Sequence, residues 1–358
     1  MVAAPARPHT GVPMTAETIR ASAPLRISFV GGGTDFPHYY ERHGGAVLSA
    51  TIDHAAYVTV TPRRDRQVRI RSFDLGHLVE YGLERGPVYD GVMDLPKAAI
   101  ERFGVRTGID VDIASDAPPG SGLGGSSALV TACVGALAML TDRSMSPREV
   151  ATLAYAIERD DLGIAGGWQD QYAAAFGGFN LLEFAADAVG VQPLALDDEA
   201  LERLRARLLL CYTGHIRTDL GLIETQIRMY EDGREDTIIG MKQLHAMAYE
   251  MRYEIEAGNL ERLGPLLHEA FESKRLMNPH IADGTPIEHL LSVARDAGAS
   301  GGKICGAGGG GYLLLACRPE RQPAVRDALE GLGGQFAEFA FRPHGVEARS
   351  GDRVWRPA

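Results

Sequence analysis

From Ser22 to Val30 the chain runs through mostly apolar residues that suit a strand, and it breaks at Gly31, Gly32, Gly33, Thr34 and Asp35. Side chains of a strand alternate between its faces, so Arg26 and Ser28 share one side and Leu25 and Ile27 the other. Residues 45–60, rich in Ala, Val, Ile, Thr and Tyr, predict one or two further strands. Val68 and Ile70 alternate with Arg69 and Arg71, a half-buried strand over 67–73. A helix covers 98–103, and Ile109, Val111 and Ile113 mark a strand over 108–115. Residues 126–140 are almost wholly apolar or small, which predicts a helix buried on most of its circumference. Ser146, Pro147 and Glu149 form a helix start, with Ser at the cap, Pro at the first position and Glu at the third. That helix runs to about 158. A turn-rich stretch over 163–178 then leads to a strand over 179–184.

Past residue 205 the pattern changes. A strand at 207–212 is followed by largely helical sequence from 220 to 275 with charged outer faces, and by a helix at 289–297. Residues 298–311 read as a glycine-rich loop. A strand at 312–317, a helix at 323–332 and a strand at 335–341 follow, and from Pro343 onward there is no clear signal. This divides the chain into a flexible leader (1–21), an N-terminal domain (22–205), a C-terminal domain (206–345) and a tail (346–358).

Composition narrows the classes. The hydrophobic share is 45% against 23% charged residues, which describes a folded globular chain rather than a disordered one. A net charge of −11 does not suit a nucleic-acid binder, which needs a basic face. Cys133, Cys211, Cys305 and Cys317 are scattered without CxxC spacing and read as reduced thiols. Cys305 reads as a small loop residue. No apolar run reaches the ~18 residues of a membrane span, and the first twenty residues lack the apolar core of a signal peptide. Met14 is a second candidate initiator. The expectation is a cytoplasmic protein that binds neither nucleic acid nor membrane; a homodimer is one assembly the sequence allows.

The segment Asp116-Ala117-Pro118-Pro119-Gly120-Ser121-Gly122-Leu123-Gly124-Gly125-Ser126-Ser127 lies between a strand and the apolar helix. Helix N-termini carry unpaired N–H groups and the positive end of the helix dipole, so this geometry favours an anion. Glycines let the backbone approach a phosphate closely, and hydroxyls on the first turn reach its oxygens or a Mg²⁺ ion. Gly120 to Gly125 fits GxGxxG, but a dinucleotide fold wants that string in its first βα unit. The Walker spacing also fits, yet Ser126 occupies the lysine position.

Two more glycine loops flank this one. The first is Pro24-Leu25-Arg26-Ile27-Ser28-Phe29-Val30-Gly31-Gly32-Gly33-Thr34-Asp35, and the third is Lys303-Ile304-Cys305-Gly306-Ala307-Gly308-Gly309-Gly310-Gly311-Tyr312. The three, in this order, resemble the GHMP kinase superfamily over residues 22–340. The GGGTD string and the segments Gly166–Tyr172 and Phe176–Asn180 look most like D-glycero-D-manno-heptose 7-phosphate kinases, with L-fucokinase domains as near relatives. The resemblance implies an α+β fold: an N-terminal domain like domain 2 of ribosomal protein S5, with a left-handed βαβ crossover, joined to a ferredoxin-like C-terminal domain. It implies a phosphotransferase that uses ATP and Mg²⁺ on a small sugar or sugar phosphate, acting at the anomeric hydroxyl. A fucokinase-like hexose 1-kinase, a catalytically silent sugar or nucleotide binder, and an NAD-dependent oxidoreductase are the alternatives.

The same resemblance distributes roles. Asp170 matches the base that takes the proton of the attacking hydroxyl, and Arg26 matches the arginine near that hydroxyl and the γ-phosphate. Pro119, Gly120, Ser121, Gly122, Leu123, Gly124, Gly125, Ser126 and Ser127 match the nucleotide loop. Glu158 lies where related kinases place their Mg²⁺ carboxylate. Aligned without gaps, Gly125 falls at the position of the metal-binding serine, so Ser126 or Ser127 serves instead. Gly32, Gly33, Thr34, Asp35, Gln169, Gly308 and Gly309 match sugar-binding positions. Gly32 and Gly33, standing where galactokinase has larger side chains, leave room for a larger sugar. A phosphate already on the acceptor needs a second cationic site, for which Arg217, Lys274 and Arg275 are the candidates.

Overall fold

The computed structural model describes residues 17–215 and 221–358. Its strands, in chain order, are β1 (Ile19–Val30), β2 (Gly45–Pro62), β3 (Gln67–Ser72), β4 (His77–Gly82), β5 (Ile109–Ser115), β6 (Phe179–Phe184), β7 (Val189–Pro193), β8 (Leu208–Tyr212), β9 (Ala299–Ile304), β10 (Tyr312–Cys317), β11 (Gln335–Ala337), β12 (Glu347–Ser350) and β13 (Arg353–Trp355). One sheet has the order β13-β12-β1-β2-β5-β3-β4, with β6 pairing β2 and β7 pairing β6. The long β2 makes this branching possible. Its first part, from Gly45 to Ala50, pairs with β6, and its second, from Ala56 to Pro62, pairs with β5.

The helix Gly125–Leu140 lies across β1 and β2. Its buried residues occupy nearly every position from Ser127 to Met139, as its unbroken apolar sequence requires. Each large apolar side chain buried in this way contributes about 1.5–3 kcal/mol. The helix Pro147–Ala156 starts with both halves of the expected capping box, Ser146 receiving the Glu149 N–H and Glu149 reaching back to the Ser146 N–H.

The second sheet has the order β11-β8-β10-β9 and is antiparallel throughout. The helices Leu222–Glu231, Glu235–Glu256, Leu263–Met277 and Ile287–Asp296 fall between β8 and β9, and Gln322–Glu330 falls between β10 and β11. With helices in both crossovers, this is the ferredoxin-like arrangement. The whole is an α+β fold. No helix among the described residues is long and apolar enough to cross a membrane.

Several elements depart from the pattern-based reading. Residues 163–178, read as turns, contain the helix Gln169–Phe176. Part of 298–311, read as loop, is β9, whose glycines are a packing requirement: the Gly264 backbone leaves no room for a Cβ at Gly301. Ile19 to Ala21 belong to β1, while residues 1–16 of the expected leader lie outside the described residues. The segment after Pro343, without clear signal, supplies β12 and β13, and β12 pairs with β1. Short strands completed by a distant partner carry too few residues to show a period.

Candidate active site

β1 does not pair regularly where the chemistry-bearing residues lie. Its register with β2 shifts between Pro24 and Arg26 and again between Ser28 and Val30. Bulges of this kind re-aim side chains, and here they free the Arg26 backbone N–H to bond the Leu123 carbonyl at 3.0 Å. The Arg26 side chain is buried, 4% exposed. Its Nε and Nη2 both reach Asp170 Oδ1 at 2.7 Å, and its Nη1 donates to the Gly122 carbonyl at 2.7 Å. One guanidinium therefore ties the first loop, the second loop and the helix Gln169–Phe176 together. Asp170 Oδ2 has no hydrogen-bond partner among the described residues.

The second loop leads into the helix Gly125–Leu140 through three left-handed glycines, Gly120 (φ 73°), Gly122 (φ 81°) and Gly124 (φ 76°). Alternating left-handed residues turn successive N–H groups inward, which makes a concavity for an anion. Gly124 caps the helix without any side-chain bond, and no acidic residue occupies the first turn. A Cβ at Gly124 would stand 3.4 Å from Arg26 and 3.5 Å from the Asp170 carboxyl carbon, whereas at Gly125 it would meet open space. The bare amino end of the helix thus lies directly beside the Arg26–Asp170 pair. Pro119, Gly120 and Ser126 are exposed, while Ser121 and Leu123 turn inward. The Ser121 carbonyl accepts the Tyr312 N–H at 3.0 Å, which docks the third loop against the second. That docking depends on glycine: a Cβ at Gly122 would lie 2.6 Å from the Cys305 carbonyl oxygen.

Glu158 sits in a π-helical turn, Ile157–Asp161, that continues the helix Pro147–Ala156; such turns are frequent at functional sites. The carboxylate is 2% exposed. Its Oε2 accepts from Ser127 Oγ at 3.1 Å and Gln171 Nε2 at 2.8 Å, and lies 3.0 Å from Arg159 Nη1. Its Oε1 is buried without a partner among the described residues. Burial pushes its pKa up, with Arg159 pulling the other way. Of the two candidate serines, Ser127 is the one beside Glu158.

A cavity opens from Arg26 and Asp170 toward the first loop, lined further by Gly32, Gly33, Asp35, Gln169, Lys274 and Lys303. Asp35 is buried; its Oδ1 accepts the Gly33 N–H at 2.9 Å and its Oδ2 accepts Gln169 N at 3.1 Å and Nε2 at 3.3 Å. Desolvation raises its pKa, and the two backbone donors partly offset this. Asp35 Oδ2 also explains the glycine at 167, where it leaves no space for a side chain. Thr34 is not a cavity residue: its hydroxyl bonds the Gly31 and Ala46 carbonyls at 2.8 and 3.0 Å and holds the turn.

The candidates for a second cationic site separate. Lys274 lines the cavity and bonds the Gly306 carbonyl. Arg275, next to it, does not reach the cavity, because successive helical residues point about 100° apart; it pairs with Glu272 at 3.2 Å and Glu288 at 3.0 Å on the outer surface. Arg217 lies outside the described residues. Gly308 and Gly309 pack on Ile281, Gly309 N bonding the Ile281 carbonyl at 2.8 Å, while Gly306 and Ala307 line the cavity. Arg159, Gln226 and Lys303 also line it, and the sequence motifs do not point to them. Only Arg159, adjacent to Glu158, had a local signal.

Models of known families match this chain twice, the GHMP kinases N terminal domain over residues 92–178 and the GHMP kinases C terminal domain over 251–334. A D-glycero-alpha-D-manno-heptose 7-phosphate kinase of Campylobacter jejuni is 34% identical over 339 residues, 93% of this chain and 99% of that one. Among solved structures, a D-glycero-D-manno-heptose 1-phosphate kinase from Bacteroides thetaiotaomicron superposes with a TM-score of 0.77 at 30% identity, covering 93% of this chain and 99% of that one. The fold is also that of Lactococcus lactis galactokinase complexed with galactose, with a TM-score of 0.74 at 22% identity over 92% of this chain and 95% of that one. With a bare helix end beside an arginine–aspartate pair and a relative this similar along nearly its whole length, the chain belongs to the GHMP kinases, a family of ATP-dependent phosphotransferases.

Proposed function

We propose that the chain transfers the γ-phosphoryl group of ATP to the anomeric hydroxyl of D-glycero-D-manno-heptose 7-phosphate, giving the 1,7-bisphosphate for nucleotide-activated heptose synthesis. The observation that carries this is Asp170, fixed through Oδ1 by Arg26 beside the amino end of the helix Gly125–Leu140, with Oδ2 left for an acceptor. Support for the sugar comes from the two heptose phosphate kinases it resembles over 93% of its length.

Phosphoryl transfer asks for positioning and for positive charge against the phosphate oxygens. The N–H groups at Gly122 to Ser127 hold the triphosphate. Asp35 and Gln169 hold sugar hydroxyls beside Gly32 and Gly33, and Lys274 takes the phosphate the sugar already bears. The anomeric oxygen bonds the γ-phosphorus as the bridge to the β-phosphate breaks; ADP leaves with that electron pair and the hydroxyl proton passes to Asp170 Oδ2. Arg26 steadies the carboxylate and faces the transferred group with its remaining N–H donors.

The unpartnered Glu158 Oε1, beside the Ser127 hydroxyl, suits Mg²⁺, a hard ion that binds oxygen donors and keeps phosphate and water among its ligands. When bound, such an ion neutralises charge on the phosphates. We place the protein in the cytoplasm, in keeping with its four buried, unpaired cysteine thiols.

ADP release measured over a panel of heptose and hexose acceptors tests this reading. The 7-phosphate should be the preferred acceptor, and Asp170→Asn should lower kcat by about 10²-fold or more with little change in ATP affinity. Near-normal turnover in that variant would remove Asp170 from its role.

A further inference from the structure

Among the described residues three lysines are buried, Lys97, Lys274 and Lys303, and the surroundings of the first and the last differ. Lys97, on the helix Asp94–Phe103, is 1% exposed and meets two carboxylates, Asp90 at 2.8 Å and Asp94 at 3.0 Å. These partners raise its pKa against the opposing effect of burial. Lys303, at the end of β9, is 4% exposed and has no carboxylate partner among the described residues. Its Nζ donates to the Ser28 carbonyl at 2.7 Å, which accounts for one of its three N–H donors.

The groups around Lys303 do not supply a counter-charge. Arg26 faces it from β1, Cys305 follows just past the end of β9, and Lys274 comes from the helix Leu263–Met277 packed over β9. The neighbouring strand β10 brings Leu313, Leu314 and Leu315, and the helix Ile287–Asp296 packs its Leu291 near Gly302. Asp170 and Asp35 line the same cavity, but Arg26 holds the first, and Gly33 and Gln169 hold the second. Burial, opposed by Cys305 and reinforced by Arg26, brings the Lys303 ammonium down to a pKa of about 8. An ammonium buried without an anion is strongly disfavoured, unless the anion arrives as ligand.

We propose that Lys303 is a substrate-binding cation of the acceptor cavity, whose missing counter-ion is a phosphate oxygen of the bound substrate. This rests on the kinase reading for the identity of the substrate. The anion has two sources, the phosphate on the acceptor sugar and the γ-phosphate of the nucleotide, and both present the same oxygen to Nζ.

Isothermal titration calorimetry at pH 8.5, repeated in buffers of different ionisation enthalpy, measures proton uptake on binding without needing turnover. The probes are heptose 7-phosphate, unphosphorylated heptose and a non-hydrolysable ATP analogue. At this pH a sugar phosphate is already a dianion and releases no proton. A lysine starting near pKa 8 and held fully charged by its ligand takes up about 0.8 of a proton per site. We expect that uptake with heptose 7-phosphate, none with heptose, and none in Lys303→Arg, which is charged from the start. Uptake with the nucleotide analogue alone would assign Lys303 to the transferred phosphate and uphold its role as a phosphate-binding cation. No uptake with any probe in the wild type, or undiminished uptake in Lys303→Arg, overturns the proposal. Lys303→Met, checked for an intact Tm, should raise KM for the phosphorylated partner about ten-fold or more and leave the other KM unchanged. Turnover without uptake would sink Lys303 alone; uptake without turnover on any sugar would sink the kinase reading alone.

Discussion

The two ends of the cleft are built from different materials. At the nucleotide end the groups offered to a ligand are backbone amides, displayed by Gly120, Gly122 and Gly124 and by a helix with no acidic residue in its first turn. At the acceptor end they are side chains: Arg26, Asp35, Arg159, Gln169, Asp170, Lys274 and Lys303, drawn from both sheets and the helices between them. Amides do not titrate and cannot be removed by truncating a side chain, so that end fails only when its backbone is blocked or moved. The acceptor end behaves in the opposite way, sensitive to single substitutions and to pH.

Arg26 spans both ends, through Gly122 on one side and Asp170 on the other, and its loss is the largest effect expected. Arg26→Met should lower kcat by about 10²–10³-fold and raise KM for both substrates in steady-state assays. A change confined to one KM would break the comparison, because Arg26 would then serve one end alone.

Next in size is a pair of glycine substitutions. Gly122→Ala imposes a left-handed conformation on alanine and drives its Cβ to 2.6 Å from the Cys305 carbonyl oxygen, so stability should fall by about 1–3 kcal/mol in denaturant titrations. Gly125→Ala meets open space within a helix. It should gain up to about 1 kcal/mol while ATP binds less tightly, because the new methyl group stands where phosphate approaches. If ATP affinity ignored Gly125→Ala, the amide cradle would lose its support.

The smallest effect sharpens the acceptor end. Burial raises the Asp35 pKa above its unfolded value of 3.8. The folded state thus favours the protonated form; this contribution is full below the unfolded pKa and is lost as pH rises through the folded one. The Tm advantage of wild type over Asp35→Asn should therefore shrink between pH 4 and pH 8. A widening gap would mean that the donors from Gly33 and Gln169 outweigh desolvation.

What could be read in advance follows the same division. The second loop, the apolar helix behind it and the capping box at Ser146 are local, so spacing alone located them. The family resemblance added Asp170, Arg26, Glu158 and Asp35, which the fold brings around one cleft. The helix under Asp170 looks like a turn in the sequence, since Gly166, Gly167 and Gly177 around it mask a short helical period. Thr34, Gly308 and Gly309, matched to sugar positions by their motifs, hold backbone turns and packing contacts.

By itself the sequence determined where amides would be exposed for an anion, because glycine conformation and helix ends are properties of neighbouring residues. Only the tertiary structure decided which charges meet. Arg275 and Lys274 are adjacent in the chain, yet one pairs on the surface and the other lines the cavity. Lys97 and Lys303 are the same residue, one neutralised by nearby aspartates and one left without an anion. Lys97 finds its aspartates within seven residues, whereas the surroundings of Lys303 depend on atoms as far along the chain as the Ser28 carbonyl, 275 residues away, and no local pattern carries them.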